Sequence, residues 1–580
     1  MTRQHRSLRF APAAARALAL ALAMGSLAPA PLVALSFEFG EDVRLDFDTS
    51  LFYTAQWRLE KPSADRLSPD VSGQRLPQEA AALFEAANND DGNRNFDRGL
   101  TSNKLTAVID LDLSWRNLGV FLRGRAYYDT VYADRSTDMD AVGYQTYNSG
   151  DALCCAIPPV IPRPSSIDGG TALGDFPADT VALHGRKAEL LDAFVYGTFN
   201  LPGSRLFEFR VGSQVINWGE TTIAPGINGL QNRIDTIAGN TAGAELREIF
   251  LPTGAVYGQL DVLSNLTAEA YYQYQWIETR LNGVGSYFGG TYTPDFVGEG
   301  SRNLLISSGA YNPDGSINIA AVAPRTGDIE PTDRGQWGAA LHYLTDGGTD
   351  FGLYAVTGHD RNPSVLLNEP DASDPKQLIA YFLNFFSEEL VPGSYTVRYF
   401  DYIRSYAASF TSVWGRANVQ GELTYLANTP IYDASGTPER TPVTKFNFGT
   451  TFVVTPTALW DDLTLLAEVA GLRAIGKSND ELRYDASAWG YFLRAQAAYN
   501  NVLQGLDLAV PIIFQHSARG NFRGASAFYV ENAKVASIGL QGTYLNRFIA
   551  SVIYTNYFDG GRDNLLADRD NIALNLKYSF

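Results

Sequence analysis

The stretch Val43-Arg-Leu-Asp-Phe-Asp-Thr-Ser-Leu-Phe-Tyr-Thr-Ala-Gln-Trp-Arg-Leu59 decides the fold. Val43, Leu45, Phe47, Leu51, Tyr53, Ala55, Trp57 and Leu59 share one face of an extended chain, and Arg44, Asp46, Asp48, Ser50, Thr54, Gln56 and Arg58 share the other. Side chains of a strand alternate between two faces, so this segment sets an apolar surface against a polar one. It is long for a soluble sheet. It suits a tilted membrane strand with lipid on one side and water on the other.

The pattern recurs along the chain. Leu105, Ala107, Ile109, Leu111, Leu113 and Trp115 alternate with Thr106, Asp110, Asp112 and Ser114, and Phe446, Phe448, Phe452 and Val454 alternate with Lys445, Asn447 and Thr451. At the end of the sequence Ile572, Leu574, Leu576, Tyr578 and Phe580 share a face, and a terminal aromatic on such a strand, here Phe580, is an assembly signal for outer-membrane barrels. Strand starts fall near 42, 102, 118, 187, 204, 250, 264, 335, 349, 397, 415, 441, 461, 487, 504, 533, 547 and 570. The connections alternate. Tight turns at Asn117-Leu118-Gly119, Pro202-Gly203, Ser264-Asn265, Asp346-Gly347-Gly348, Trp414-Gly415, Asn500-Asn501 and Asn546-Arg547 are interleaved with long loops at 60–101, 133–186, 219–249, 280–334, 360–396, 428–440, 475–486, 518–532 and 559–569. Short turns on one side and long loops on the other are the rule for outer-membrane barrels. The reading is an all-β transmembrane antiparallel barrel of about eighteen strands, with both ends periplasmic, some loops folded inward and short helices within loops.

Arg3, Arg6, Arg9 and Arg16 precede and flank the short apolar run Ala17–Ala23, with Pro29 and Pro31 beyond it. This is the form of a secretory leader, expected to span 1–36, with the barrel filling 37–580. It places the chain in the outer membrane of a Gram-negative bacterium, among outer-membrane lipid and lipopolysaccharide and served by the barrel assembly machinery. No run of about 20 apolar residues follows the leader. The formal charge of −18 argues against nucleic acid as a partner. The two cysteines, Cys154 and Cys155, are adjacent and match no metal-binding spacing.

Gly471-Leu-Arg-Ala-Ile-Gly476-Lys477-Ser478 spells a phosphate loop, but an amphipathic strand precedes it and a polar loop follows, so the match is read as chance. No GxSxG or HExxH motif is present, and no enzyme is expected. Oxygen-bearing Asp91, Asn93, Asn95 and Asp97 recur at every second residue around Gly92, a spacing that could wrap calcium. The alternative is an Asx-rich turn, and no other cofactor is expected. After Asp374-Pro375 a helix is expected over 376–390, and Leu378, Phe382, Leu383, Phe385 and Phe386 make it apolar nearly all round. Such a segment needs the lumen, the outer leaflet or an apolar ligand as cover, which favours hydrophobic or lipid-like cargo over general diffusion. A non-transporting structural or binding barrel is the remaining alternative.

The densest polar constellation contains Gln214, Trp218, Glu220, Asn228, Arg233, Asp235, Glu245, Arg247 and Glu248. With Gly219, Gly226, Gly229 and Gly243 allowing close backbone approach, the loop after Trp218 is expected to fold inward as a charged constriction or as an anchored plug. Gln214…Trp218-Gly219-Glu220, Gly226-Ile227-Asn228, Gly243-Ala244-Glu245-Leu246 and Leu251-Pro252 resemble the proteobacterial family catalogued as domain of unknown function 1302. So do Asn89-Asp90-Asp91-Gly92…Asn95-Phe96 and Lys577-Tyr578-Ser579-Phe580. The resemblance implies an outer-membrane barrel. It also implies an envelope system with a periplasmic lipid-handling protein and an inner-membrane exporter of the resistance-nodulation-division type.

Overall fold

The computed structural model describes residues 35–63, 66–67, 88–89, 91–134, 175–241, 243–301, 303–307, 320–374, 377, 380–381 and 391–580. Residues 1–34 of the expected leader over 1–36, the cysteine pair and the apolar residues Leu378, Phe382, Leu383, Phe385 and Phe386 lie outside the described residues.

Eighteen strands form the barrel: β1 Val43–Arg58, β2 Gly99–Trp115, β3 Leu118–Asp129, β4 Arg186–Leu201, β5 Arg205–Gln214, β6 Thr253–Leu263, β7 Leu266–Gln273, β8 Gln336–Leu344, β9 Asp350–Gly358, β10 Ile403–Trp414, β11 Ala417–Tyr432, β12 Pro438–Val454, β13 Asp462–Ala474, β14 Ser487–Leu503, β15 Leu506–Arg519, β16 Lys534–Tyr544, β17 Phe548–Phe558 and β18 Asn571–Ser579. Each pairs antiparallel with the next, and β18 pairs with β1 from Ser50↔Ser579 to Arg58↔Asn571, so the sheet closes on itself. Phe580 completes the seam, exchanging backbone hydrogen bonds with Thr49 at 2.8 and 2.9 Å. Closure leaves no barrel strand with an unpaired edge, the condition for β structure in lipid. Leu35–Phe39 adds a short strand folded back on Val43–Phe47.

The alternation is realised in space. Leu105, Ile109, Leu113 and Trp115 of β2 are exposed on the outside, as are Leu353, Leu423 and Leu540 elsewhere on the wall. The expected starts agree with the observed ones to within a few residues, the widest miss being β10. The region 428–440, expected as a long loop, is instead a tight hairpin. Strand β11 runs to Tyr432 and β12 begins at Pro438, with a register shift between Leu426 and Thr429 absorbing Ala427 and Asn428. Asn428 takes φ +63°, which the turn-forming character of Asn tolerates.

Candidate functional site

Between β5 and β6, residues 215–241 and 243–252 run inside the barrel and bind the wall on several sides. Two carboxylates hold the first part. Glu422 of β11 accepts the backbone N–H of Ile227 at 2.7 Å and of Glu220 at 3.2 Å. Glu468 of β13 accepts those of Thr222 at 2.8 Å, Ile223 at 3.2 Å and Ala224 at 2.8 Å. Each is a charge-assisted bond to backbone, the strong class of hydrogen bond. The glycines of this loop are explained by that approach. A Cβ on Gly219, whose φ is +92°, would lie 2.2 Å from Glu422 Oε2, and one on Gly226 would lie 2.0 Å from Oε1.

Trp218 is buried against the neighbouring stretch of wall formed by β7 and β9. Its Nε1 donates to Glu269 of β7 at 2.7 Å, and its rings pack on Tyr271 and Tyr354 at 4.9 and 6.1 Å between centroids. Ile216, Ile227 and Leu230 join these rings in an apolar cluster against the wall. Asn228 ties the turn to itself, accepting from Gly226 N–H and donating to Asn217 Oδ1. Gln214, at the end of β5, donates to the carbonyl of Ala255 at 3.0 Å. Gln214, Trp218 and Asn228 therefore shape and seat the segment. At Glu220 the backbone makes the wall contact, and burial together with Asp350 and Glu422 raises the carboxyl above the usual range.

The second part of the segment carries paired charge. Asp235 and Glu189 are bridged twice. Arg125 of β3 reaches them at 2.9 and 2.6 Å, and Arg280 reaches them at 2.8 and 2.6 Å. This closed ring of two cations and two anions is buried. Burial alone would raise the Asp235 carboxyl, but Arg280, Arg125 and the N–H of Ala238 outweigh it and hold the group below the usual carboxylate range. Asp235 also caps the short helix Thr236–Gly239. Arg233 donates to the carbonyl of Glu278 at 2.6 Å. Further round, Glu245 pairs with Arg247 at 2.6 Å and with Lys577 of β18, while Arg247 reaches Asp110 of β2 at 3.4 Å.

The structure thus divides the expected constriction. Glu220 faces one part of the lumen, Arg233 and Asp235 are locked in buried contacts, and Glu245, Arg247 and Glu248 meet the wall near β18 and β2. Between Thr236–Glu248 and the wall lies a cavity of about 250 Å³. Its wall is contiguous, because Phe52 stands opposite Thr106 and Lys577, Thr54 opposite Lys104 and Asn575, and Ile549 opposite Lys577. Phe52, Lys104, Ile549 and Ile553 line this cavity and were not singled out by the sequence reading. The usable signal was phase: Phe52, Ile549 and Ile553 are apolar residues at polar positions of the alternation.

The calcium expectation meets a different local structure. Asp91–Asn95 is a short buried helix, in which Asn93 points away from the face that Asp91 and Asn95 share. Asn93 Nδ2 donates to Asp568, Asn95 Nδ2 donates to the carbonyl of Gly285, and Asp97 is exposed. Among the described residues no group of three His, Cys, Asp or Glu could hold a metal. In the phosphate-loop match, Gly471–Ala474 ends β13 and only the short 3-10 turn Asn479–Glu481 follows.

Solved structures similar to this chain include the Acinetobacter baumannii protein OccAB1, at 10% identity and TM-score 0.42 over 92% of this chain and 96% of that one. A BenF-like porin from Pseudomonas fluorescens Pf-5 is similar at 11% identity and TM-score 0.40, over 94% and 100%. Pseudomonas aeruginosa OccK2 (OpdF), solved in complex with glucuronate, is similar at 8% identity and TM-score 0.37, over 92% and 98%. No curated protein matches the chain. The model of the family described as protein of unknown function (DUF1302) matches residues 15–580, and the chain belongs to that family.

Proposed function

We propose that this protein is a non-enzymatic channel of the Gram-negative outer membrane that passes small molecules with substantial hydrocarbon surface. The observation that carries the reading is a closed barrel, apolar outside, whose lumen holds residues 215–241 and 243–252 yet keeps an internal cavity of about 250 Å³ with Phe52, Ile237, Ile549 and Ile553 in its lining. A general diffusion pore has no use for apolar side chains at lumen positions. For a solute that buries roughly 100 Å² of hydrocarbon there, the gain is about 2.5 kcal/mol. Longer lipid-like molecules extend the same chemistry. A periplasmic lipid-handling protein and an exporter of the resistance-nodulation-division type are the partners that the family resemblance suggests.

The test is reconstitution. The mature protein should conduct ions in planar bilayers, and proteoliposomes should admit an amphiphilic solute faster than a sugar of equal size. Equal rates would make it a general diffusion porin. Absence of any conductance would leave a structural or binding barrel.

A further inference from the structure

The lining of the lumen cavity contains six charged side chains: Lys104, Arg125, Lys577, Asp235, Glu245 and Glu248. Four of them are engaged: Arg125 with Asp235 in the buried ring, and Lys577 with Glu245. The other two make no direct ion pair with each other or with any other described residue; Lys104 stands opposite Asp129 in the ladder and feels Asp129, Asp235 and Glu248 only at longer range. The Lys104 ammonium rests 5.5 Å from the centre of the Tyr127 ring. The Glu248 carboxylate accepts one backbone N–H, from Glu245 at 3.0 Å. One cation and one anion therefore face the same small cavity without meeting.

We infer that this cavity is a binding site for a zwitterion with an apolar body, such as an amino acid with a hydrocarbon side chain. A ligand carboxylate would pair with Lys104 and a ligand ammonium with Glu248, each through charge-assisted hydrogen bonds. The hydroxyl of Thr106, next to Lys104 on the lumen face, offers a further donor. The hydrocarbon part would lie against Phe52, Ile549 and Ile553. Size agrees, since apolar cavities of about 150 Å³ already admit a benzene ring. A ligand with only one charge would leave the other side chain without a direct ion pair in the cavity. The site deepens the channel reading by naming a solute class, and rests on it only in that the lumen must be reachable from solution.

Calorimetric titration of L-phenylalanine, 3-phenylpropanoate and 2-phenylethylamine into the detergent-solubilised mature barrel tests it. The three share the ring but carry both charges, the carboxylate alone and the ammonium alone. The expected result is binding of phenylalanine at least about tenfold tighter than of either analogue. Lys104→Met should abolish the preference over 2-phenylethylamine, and Glu248→Gln the preference over 3-phenylpropanoate. Retained heat-modifiable mobility in electrophoresis checks that each variant is folded, and the comparison on the unaltered protein needs no variant. Equal binding of 3-phenylpropanoate, or binding of none of the three, overturns the inference. A protein that conducts in planar bilayers but binds none of them keeps the channel reading and loses this site. One that binds phenylalanine without conducting keeps the site and loses the channel.

Discussion

Replacing Glu468 by alanine removes the acceptor for three consecutive backbone N–H groups, those of Thr222, Ile223 and Ala224. A hydrogen bond to a charged group contributes about 1.5–3 kcal/mol when its donor would otherwise be buried and unpaired. In a wet lumen the released donors find water, so the net loss falls to about 0.5–1.5 kcal/mol each. For three bonds that is roughly 2–4 kcal/mol, a shift of about 30- to 700-fold toward a released loop. The barrel ladder is untouched by the substitution, so the thermal transition of the barrel should hardly move. Single-channel recording reads the effect directly. The Glu468→Ala channel should show larger and noisier conductance steps, and the Glu422→Ala, Glu468→Ala double variant larger steps still, because Ile227 and Glu220 lose their acceptor as well. Conductance and noise unchanged in the double variant would refute the idea that these carboxylates hold the segment in the lumen.

Gly226→Ala should reproduce the Glu422→Ala recording without touching the carboxylate, since the new methyl would stand 2.0 Å from Oε1 and must displace it. Arg280→Leu opens the buried ring and leaves Asp235 and Glu189 to share Arg125; a loss of about 3–5 kcal/mol is expected, read as faster amide exchange in Thr236–Gly239. Leu423→Arg puts a charge on the outward face of β11, where the leucine is 57% exposed, and should cost about 2–4 kcal/mol in bilayers. An unchanged folding free energy in bilayers would count against a lipid-facing position. Burial pushes Asp360, in the loop after β9, up to about 6 against the opposing N–H groups of Asn362 and Arg361. Because the shift is upward, its contribution to loop packing is full below about pH 4 and is lost as pH rises through about 6. Amide exchange at 359–362 should quicken over that window, and Asp360→Asn should flatten the profile.

Much of the architecture was legible because it is local. Whether a strand residue faces lipid or water depends on its parity, and the period of two is written into residues such as Leu105 to Trp115. Turn residues mark where that parity resets, which is why the strand starts could be placed closely. The hairpin at 433–437 escaped because Asn428, Thr429 and Pro430 read as a loop while the ladder continues through them with a register shift. The Asp91–Asp97 spacing suggested oxygens wrapped around a cation at Gly92; folded as a helix, Asp91–Asn95 turns Asn93 away from the face that Asp91 and Asn95 share.

The inward loop was foreshadowed by Trp218 and its glycines, but its anchors were not. Glu422 and Glu468 are ordinary inward positions on amphipathic strands, and nothing near them in the chain marks their role. Sequence alone determined the barrel, its strand count and the two ends to which its connections belong, because alternation and turn chemistry act between near neighbours. Tertiary structure alone decided that Glu422 meets Ile227, that Glu468 meets Ala224, that Glu245 meets Lys577, and that Lys104 and Glu248 share a cavity without touching. Those pairs lie hundreds of residues apart or on separate elements, and only closure of the wall around the inserted segment brings their charges within reach.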